Sequence, residues 1–299
     1  MNKPFLTVII PTFNRSSCLD ICLNRLFSQN LSRESYEVIV VNDGSTDETE
    51  LILKQFENEN NFKHLKQKNS GQGNARNLAI KHSIGQVILF IGDDIYAEEN
   101  FLKKHIDFHM ENPAINYAGL GRIEWFPENK ITAFMNWLTN GGPQFAYNNL
   151  RDSEEATFWY FYTSNISIKK ELLINDNFDP DFKSYGWEDI ELAYRLKNKY
   201  DLKIIYNENI LAYHDHQIFE DSLKKRMLSI GKSAKIFERK AHDINIIPKG
   251  IKLLILSLIS SRISLLLLLV LKSILPSLFQ KYYWYSLSKR YFLIGLKNV

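Results

Sequence analysis

Short apolar runs separated by helix-like stretches organise the first hundred residues. Leu6–Ile10, Tyr36–Val41 and Val87–Ile91 are rich in β-branched residues and predict buried strands, the first of them ended by Pro11. His64–Lys66 predicts a shorter strand. Because strands alternate with helices here, the pattern predicts an α/β fold with a mostly parallel sheet flanked by helices.

Helical spacing of apolar residues fills the intervals between these strands. Helices are predicted at residues 16–28, from about Asp47 with Ser45 or Thr46 as its cap, at Asn74–His82 and at Trp187–Tyr200. Further strands are predicted at Phe158–Ile168 and Leu202–Tyr206.

Polar residues follow three of the predicted strands at the point where each strand ends. Thr12–Arg15, Asn42–Ser45 and Gly92–Asp94 all occupy such positions. In parallel α/β sheets, ligands bind beyond the carboxyl ends of the strands. We therefore expect these three segments to form one site.

Adjacent carboxylates at the end of a buried strand are costly unless a positive group balances them. Asp93 and Asp94 suit a hard divalent cation that bridges to phosphate oxygens, although Asp also simply favours turns. Asp43, at the neighbouring strand end, can accept a hydrogen bond from a nucleotide base or from a ribose hydroxyl.

A second acidic pair, Glu188–Asp189, begins a predicted helix. Acidic residues there often only compensate the helix dipole, but a carboxylate at this rim also suits a general base. His214 and His216 would face the same side of a strand, and we expect at most one of them to be a metal ligand.

The loop Asn69–Asn77 contains a Gly-x-Gly sequence, at Gly71 and Gly73. The third glycine of a dinucleotide fingerprint is replaced by Arg76, and the loop follows the third strand rather than the first. This disfavours a hydride-transfer enzyme. An arginine close to a helix start suits a diphosphate or helps to shape the site.

Cys18 and Cys22 lie one helical turn apart in an apolar stretch. A zinc site would need two further ligands, so we expect reduced thiols in a cytosolic protein. The opening Met1–Pro4 runs directly into a predicted strand, and we expect no secretory signal there.

The last part of the chain is basic and apolar. It contains no acidic residue after Asp243 but eight lysines and arginines. Since leucines and tyrosines accompany these basic residues, the expected anionic partner is a membrane surface and not nucleic acid.

Within this tail, Leu253–Leu271 has fourteen apolar residues in nineteen, with Arg262 near the centre. The arginine costs roughly 2.5–3.5 kcal/mol in a spanning helix, which makes insertion marginal. We favour a helix that lies in the membrane interface, with a spanning helix and a helix docked on the catalytic domain as alternatives.

The motifs together resemble the family 2 glycosyltransferases of the GT-A fold over about residues 4–216. They are Pro11–Arg15, Val41–Asp47, Gly71–Asn77, Gly92–Asp94 and Gly186–Asp189. The resemblance implies inverting transfer of a sugar from a nucleotide sugar, with UDP favoured, to a hydroxyl acceptor. It also implies a divalent cation, Mn²⁺ or Mg²⁺, on the diphosphate.

Residue roles follow from the same resemblance. It implies that Asp43 holds the base, that Asp93 touches the ribose, and that Pro11, Thr12 and Arg15 line the nucleotide. It implies Asp94 and His214 as metal ligands and Asp189 as the catalytic base. Gly71, Arg76 and Glu188 complete the predicted nucleotide-sugar site. The chain departs from the family's Asp-x-Asp pattern at Gly92, where the first carboxylate is missing.

These inferences give a catalytic domain at residues 1–243 and a membrane-associated helical tail at 244–299. The expected partners are a nucleotide sugar, a glycan or lipid-linked acceptor in surface polysaccharide or glycolipid assembly, and the cytoplasmic face of a cell membrane. A sugar nucleotidyltransferase and a non-catalytic sugar-nucleotide binder are the alternatives.

Overall fold

The computed structural model describes residues 3–297 and divides into two compact units. Unit 1 comprises Met1–Ile131, Phe145–Lys183 and Asp189–Gln217, and unit 2 comprises Thr132–Gln144, Ser184–Glu188 and Ile218–Val299. Met1 and Asn2, on which the prediction of no signal segment partly depends, lie outside the described residues.

All the strands belong to unit 1 and form one sheet. They are β1 Leu6–Thr12, β2 Tyr36–Asn42, β3 Phe62–Lys66, β4 Val87–Ile91, β5 Ile95–Ala97, β6 Tyr117–Trp125, β7 Glu155–Ala156, β8 Asn165–Lys169 and β9 Lys203–His214. The order is β3-β2-β1-β4-β8-β6-β9-β5, with β7 paired to β9. The first four strands are parallel, while β8, β5 and β7 run antiparallel to their neighbours. The predicted α/β class is confirmed.

Helices α1 to α4 alternate with the early strands, as the spacing predicted. The helices are α1 Ser16–Phe27, α2 Thr49–Gln55, α3 Gln72–His82, α4 Phe101–Glu111, α5 Ala133–Thr139, α6 Glu171–Asn175, α7 Glu188–Tyr200, α8 Ser222–Lys240, α9 Gly250–Ile259, α10 Arg262–Ile274 and α11 Pro276–Lys297. Every residue of β2 and β4 is buried, because helices cover both faces of the sheet there.

Several local predictions are wrong in detail. β1 continues through Pro11 to Thr12, because its pairing with β4 ends at Ile9 and the missing proline N–H breaks no bond on that side. Ser45 and Thr46 do not cap α2. Its N-cap residue is Glu48, and the Asp47 carboxylate accepts from the Thr49 N–H at 3.1 Å.

The predicted strand at Phe158–Ile168 is also wrong in its first half. Phe158–Tyr160 forms a 3₁₀ turn, and the strand starts only at Asn165. The aromatic residues pack against the core from this turn, so side-chain packing overrides their strand propensity. Conversely, the strand predicted at Leu202–Tyr206 continues to His214 through an irregularity opposite Gly121–Arg122.

A buried polar network supports that irregularity. Asn165 donates to the carbonyls of Arg122 at 3.0 Å and Ile210 at 2.9 Å, and its Oδ1 lies 3.0 Å from His105 Nε2. His105 and His109 both contact Ser167 Oγ at 2.9 Å. The network therefore holds α4 against β8 and β9 through two enclosed imidazoles.

Unit 2 contains the C-terminal helices. α8 and α11 approach closely at Gly231 and Gly295, since a Cβ on Gly231 would lie 2.9 Å from Gly295 Cα. No single helix within residues 3–297 is long and apolar enough to cross a membrane, but α9 and α10 together meet that test with a bend of 47° between them. The helix predicted at Leu253–Leu271 is therefore broken, at Ser260–Ser261. The division at residue 243 stays a prediction.

We predict that acid destabilises the fold through the two enclosed histidines. Burial lowers the pKa of His105 and of His109 to about 3, so the unfolded chain binds more protons between about pH 6.5 and 3. Stability is lost as the pH falls through this window, by up to about 1.4 kcal/mol per pH unit for each histidine. Urea unfolding of His109→Gln should show a smaller pH slope than wild type, while exposed His82→Gln should keep the wild-type slope. Equal slopes in all three proteins would contradict the prediction.

Candidate active site

The carboxyl ends of β1, β2 and β4 meet at one edge of the sheet. The Asp43 N–H donates to the Thr12 carbonyl at 2.9 Å, and Thr12 Oγ1 donates to Asp93 Oδ2 at 2.7 Å. Beyond the strands, Asn14 receives the Thr46 N–H at 2.8 Å. The predicted convergence of three polar strand ends is confirmed.

Asp93 and Asp94 are buried side by side at this edge, 6% and 9% exposed. Burial, followed by the neighbouring Asp94 charge, raises the pKa of Asp93 to about 7. Burial would also raise the pKa of Asp94, but His214 and Arg15 outweigh it and hold that pKa below its usual range. Asp94 therefore carries the firm negative charge of the pair.

Arg15 neutralises this charge from the start of α1. Its Nη1 donates to Asp94 Oδ2 in a close contact and lies 3.6 Å from Asp93 Oδ1. Its Nη2 lies 3.1 Å from His216 Nδ1, which must accept because a guanidinium only donates. Arg15 occupies the N-cap position of α1.

His214 approaches the same carboxylate oxygen from the end of β9. Its Nε2 lies 3.2 Å from Asp94 Oδ2, and His216 Nδ1 lies 3.9 Å from that atom. The two imidazoles stack at 5.7 Å, so the prediction that they face the same side is confirmed. Trp125 stacks on His214 at 5.2 Å, which fixes the plane of this ring.

Asp43 organises the loop before α3. Its Oδ1 accepts from Gln67 Nε2 at 2.7 Å and from the Ser70 N–H at 2.8 Å, while Oδ2 accepts from the Gly71 N–H at 2.9 Å. Gly71 has a φ of 90°, which an L-residue adopts only under strain. The carboxylate thus holds the loop in the conformation that this glycine permits.

Arg76 lies on α3 and is only 4% exposed. Its guanidinium packs 5.3 Å from the Phe178 ring centroid, and Nη2 donates to Gln72 Oε1 at 3.4 Å. The Arg76 guanidinium is therefore held by its contact with the Phe178 ring. Its predicted contact with a diphosphate stays a prediction.

Glu188 and Asp189 lie in the first turn of α7. Asp189 is half-buried, and its charge contributes to raising the pKa of Tyr162, to about 12, after the larger effect of burial. Glu188 is buried and accepts from the Gly186 N–H at 3.1 Å. Gly186 and Trp187 have φ values of 105° and 74°, a strained turn of the kind found at functional sites.

An aromatic wall connects the surroundings of Asp189 to those of His214. Tyr162, whose pKa responds to Asp189, packs edge-on against Phe145 at 5.6 Å, and Phe145 packs edge-on against His214 at 5.7 Å. Phe145 itself has a φ of 43°. Sequence reasoning missed Phe145, Tyr162 and the stacking role of Trp125, because nothing in their local sequence indicates that Phe145 and Trp125 contact His214 at a distant strand end.

Asp215 is a further residue that the sequence did not single out. Its carboxylate receives Tyr96 Oη at 2.7 Å and Asn129 Nδ2 at 2.5 Å, and its N–H donates to the Asp94 carbonyl at 2.8 Å. The sequence His214-Asp215-His216 could have indicated this role, because a residue between two histidines on the same side of a strand points to the opposite side. Asp215 thereby anchors the segment that carries both histidines.

The implied divalent cation can be tested against this arrangement. Neighbouring ligands of an octahedral ion with bonds of about 2.1 Å lie about 3 Å apart. Asp94 Oδ2 and His214 Nε2, at 3.2 Å, fit that separation. Within residues 3–297 no group of three or more His, Cys, Asp or Glu side chains is arranged to hold an ion. If a divalent cation binds at this pair, Asp94 and His214 would hold it.

We predict that Asp43→Asn loosens the loop before α3. The amide retains one carboxylate-like oxygen, so at least one of the three donors from residues 67–71 loses its acceptor, at a cost of about 1–3 kcal/mol. Hydrogen exchange of the Ser70 and Gly71 amides should accelerate. Exposed Glu48→Gln, five residues along the chain, should leave both amides unchanged. Wild-type protection in Asp43→Asn would show that the loop does not depend on this carboxylate.

Two curated relatives resemble this chain in sequence. A relative from Methanococcus voltae, a dolichyl N-acetyl-alpha-D-glucosaminyl phosphate 3-beta-D-2,3-diacetamido-2,3-dideoxy-beta-D-glucuronosyltransferase, is 27% identical over 85% of this chain and 81% of its own length. Chondroitin synthase of Pasteurella multocida is 28% identical over 64% of this chain, but the match spans only 23% of that longer protein.

Solved structures share the fold. The mannosyltransferase PcManGT from Pyrobaculum calidifontis, in complex with GDP-Man and Mn²⁺, aligns with 98% of this chain and 86% of its own at a TM-score of 0.68 and 18% identity. TarS 1-349 of S. aureus in complex with UDP-GlcNAc aligns with 77% of this chain and 66% of its own at a TM-score of 0.56 and 21% identity. Both are GT-A transferases, and these likenesses concern the fold.

The family profile described as "Glycosyl transferase family 2" matches residues 7–188. That range includes the strand ends with Thr12, Asp43 and Asp94, and it stops one residue before Asp189. The match covers more than half of the chain and includes the segments that build the buried carboxylate site. The chain therefore belongs to glycosyl transferase family 2.

Proposed function

We propose that the protein is an inverting glycosyltransferase that moves a sugar from a nucleotide-diphosphate sugar to a hydroxyl acceptor. The observation that carries this is the buried Asp93–Asp94 pair, balanced by Arg15 and His214 at the edge where β1, β2 and β4 end. Such a charge arrangement suits a ligand that brings both negative phosphates and a counter-cation.

The donor would lie across the strand ends. The loop ordered by Asp43 would hold the base, Asp93 with Thr12 would contact the ribose, and Arg15 would pair with the diphosphate. A guanidinium matches two phosphate oxygens at once, which favours Arg15 over a point charge in this role. Pro11, Gly71, Arg76 and Glu188 remain proposed components of the same donor site.

We assign the divalent cation, Mn²⁺ or Mg²⁺, to Asp94 and His214. When bound, such an ion stabilises the negative charge that grows on the departing diphosphate. Asp94 is suited to hold it because it keeps its charge in the buried pair, and Trp125 keeps the His214 ring in place. His216 stays the alternative imidazole.

Asp189 is the proposed general base. Its carboxylate would take the proton of the acceptor hydroxyl while that oxygen attacks the anomeric carbon opposite the leaving diphosphate. Attack from the opposite face inverts the anomeric configuration, and no covalent nucleophile is required. The half-buried position of Asp189 leaves it accessible to an acceptor.

The donor and acceptor classes rest on the relatives. TarS was solved with UDP-GlcNAc, and the Methanococcus relative is named for a dolichyl phosphate-linked substrate. We therefore propose a UDP-sugar donor and a glycan or lipid-linked acceptor in surface polysaccharide or glycolipid assembly. PcManGT, solved with GDP-Man, makes GDP-sugars the second class to test.

The alternative functions are disfavoured. A sugar nucleotidyltransferase needs a glycine-rich basic loop after its first strand, and that place holds Pro11–Arg15 here. The decisive experiment is a donor screen that measures release of nucleoside diphosphate, with Mn²⁺, Mg²⁺ or EDTA, in the presence of candidate acceptors. Release of pyrophosphate would support the nucleotidyltransferase, and binding without any release would support a non-catalytic binder.

We predict that Asp189→Asn lowers the rate of transfer by at least about 100-fold, because general-base catalysis contributes roughly 10²–10⁴. Nucleotide affinity, measured by calorimetry with UDP, should change little. Asp201→Asn is a matched control just beyond the end of α7, where an asparagine also tolerates the φ of 52°. Wild-type turnover in Asp189→Asn would remove this residue from the mechanism.

We further propose that the protein binds the cytoplasmic face of a cell membrane through α9 and α10. In unit 2 these helices expose large apolar side chains to solvent, and such patches mark interaction surfaces. They include Ile251 at 76%, Leu254 at 64%, Leu258 at 69%, Ile263 at 81% and Leu266 at 64%. We define these five side chains as the apolar tail face.

The break between α9 and α10 suits an apolar environment. Ser260 Oγ donates to the Leu256 carbonyl at 2.6 Å, Ser264 Oγ donates to the Leu258 carbonyl at 2.7 Å, and Ser261 Oγ receives the Ser264 N–H at 3.1 Å. The polar groups at the break thus bond within the helices. The 47° bend and the short helices favour a position in one leaflet, and the lysines and arginines around them favour anionic lipid.

We predict that Leu258→Ser, Ile263→Ser and Leu266→Ser, combined, abolish co-flotation with phosphatidylglycerol-containing vesicles. The control combines Leu51→Ser, Ile84→Ser and Met110→Ser, which changes apolar residues outside the tail that are 60%, 51% and 62% exposed. The control should float like wild type. Equal flotation of both variants would contradict the role of the apolar tail face, and equal flotation with neutral vesicles would contradict the role of charge.

A further inference from the structure

One carboxylate oxygen, Asp94 Oδ2, contacts both Arg15 and His214. Arg15 Nη1 donates to it in a close contact, and His214 Nε2 lies 3.2 Å from it. A cation held jointly by Asp94 and His214 in this arrangement would contact this oxygen, because it is the Asp94 oxygen that lies next to His214 Nε2. The Arg15 guanidinium therefore occupies the oxygen that the cation would bind.

Two positive groups cannot share this place at low cost. Asp94 is 9% exposed, so charges beside it are poorly screened by water and repel strongly at about 3–4 Å. Binding of a divalent cation thus requires Arg15 to leave Asp94.

The side chain of Arg15 is partly exposed to solvent and can therefore move away from Asp94. It is 32% exposed at the rim, where it lies beside the N-terminus of α1 and is not enclosed like Asp94. A nucleoside diphosphate arriving at this rim offers paired oxygens that match the planar fork of a guanidinium. When Arg15 leaves the Asp94 carboxylate, the negative phosphates would become the new partner of its guanidinium.

We propose that Arg15 is an exchangeable counter-cation: it neutralises Asp94 in the empty site and moves to the diphosphate when nucleotide and divalent cation bind. This rests on the proposed donor and cation sites. Its consequence is coupling, because the nucleotide removes the guanidinium that opposes the cation, and by linkage the cation strengthens nucleotide binding equally. Arg15 thereby keeps the buried carboxylates from binding cations before the donor arrives.

The test measures Mn²⁺ binding by the electron paramagnetic resonance signal of free Mn²⁺, with and without saturating UDP, after subtraction of Mn²⁺ bound by UDP alone. Arg15→Gln should bind Mn²⁺ without UDP at least about tenfold more tightly than wild type, and the gain in affinity caused by UDP should shrink by a similar factor. Arg15→Lys, which keeps the charge, should stay close to wild type without UDP. Arg25→Gln removes an equal charge from the same helix outside the cluster and should match wild type in both states.

Two failures are distinguishable. The exchange would be overturned if Arg15→Gln, without UDP, bound Mn²⁺ no more tightly than the wild type and kept the wild-type gain in affinity caused by UDP. In that case, Mn²⁺-dependent transfer by the wild type would still support the proposed function. Absence of Mn²⁺ binding to the wild type in both states, together with full transfer in EDTA, would overturn the cation assignment and the exchange. If Arg15→Gln does not fold, equal Mn²⁺ affinity of the wild type with and without UDP overturns the exchange by itself.

Discussion

Compensation of the buried Asp93–Asp94 charges is the constraint on which the site depends. A buried carboxylate is tolerated only when cations and hydrogen-bond donors surround it. Here those groups come from two distant parts of the chain: Thr12 and Arg15 at the end of β1, and His214 at the end of β9. The sheet must therefore be complete before the pair is stable, which ties the formation of the site to the formation of the fold.

The surrounding structure keeps this charge cluster rigid. Trp125 and His216 both stack on the His214 ring, and Asp215 of the same segment bonds to Tyr96 and Asn129. Asp43 uses both of its oxygens to shape the loop before α3. Pre-organisation of this kind reduces the ordering that a ligand must cause when it binds. The long side chain of Arg15 is the adaptable element in an otherwise fixed arrangement.

The sequence predicted the first four strands and the helices between them closely, because each is a strongly periodic segment with clear breaks. It predicted the tail and the central aromatic region poorly. Leu253–Leu271 satisfies the composition of one helix, yet serines bond back to the chain at Ser260–Ser261 and end it. Phe158–Tyr160 has strand propensity but forms a turn, since its aromatic rings pack against the core from there. In both cases interactions outside the local pattern decided the conformation.

By itself, the sequence determined the α/β class, the family and the polar strand ends, since hydrophobic periodicity and short motifs are local properties of the chain. It also indicated Asp94 and His214 as partners through the family resemblance. Only the tertiary structure decided that Arg15 lies on the same Asp94 oxygen that faces His214, and that Phe145 and Tyr162 connect the Asp189 and His214 surroundings. The two contacts to Asp94 join residues 79 and 120 positions apart. Their distances depend on how the strands are ordered and aligned in the sheet, which no local pattern specifies.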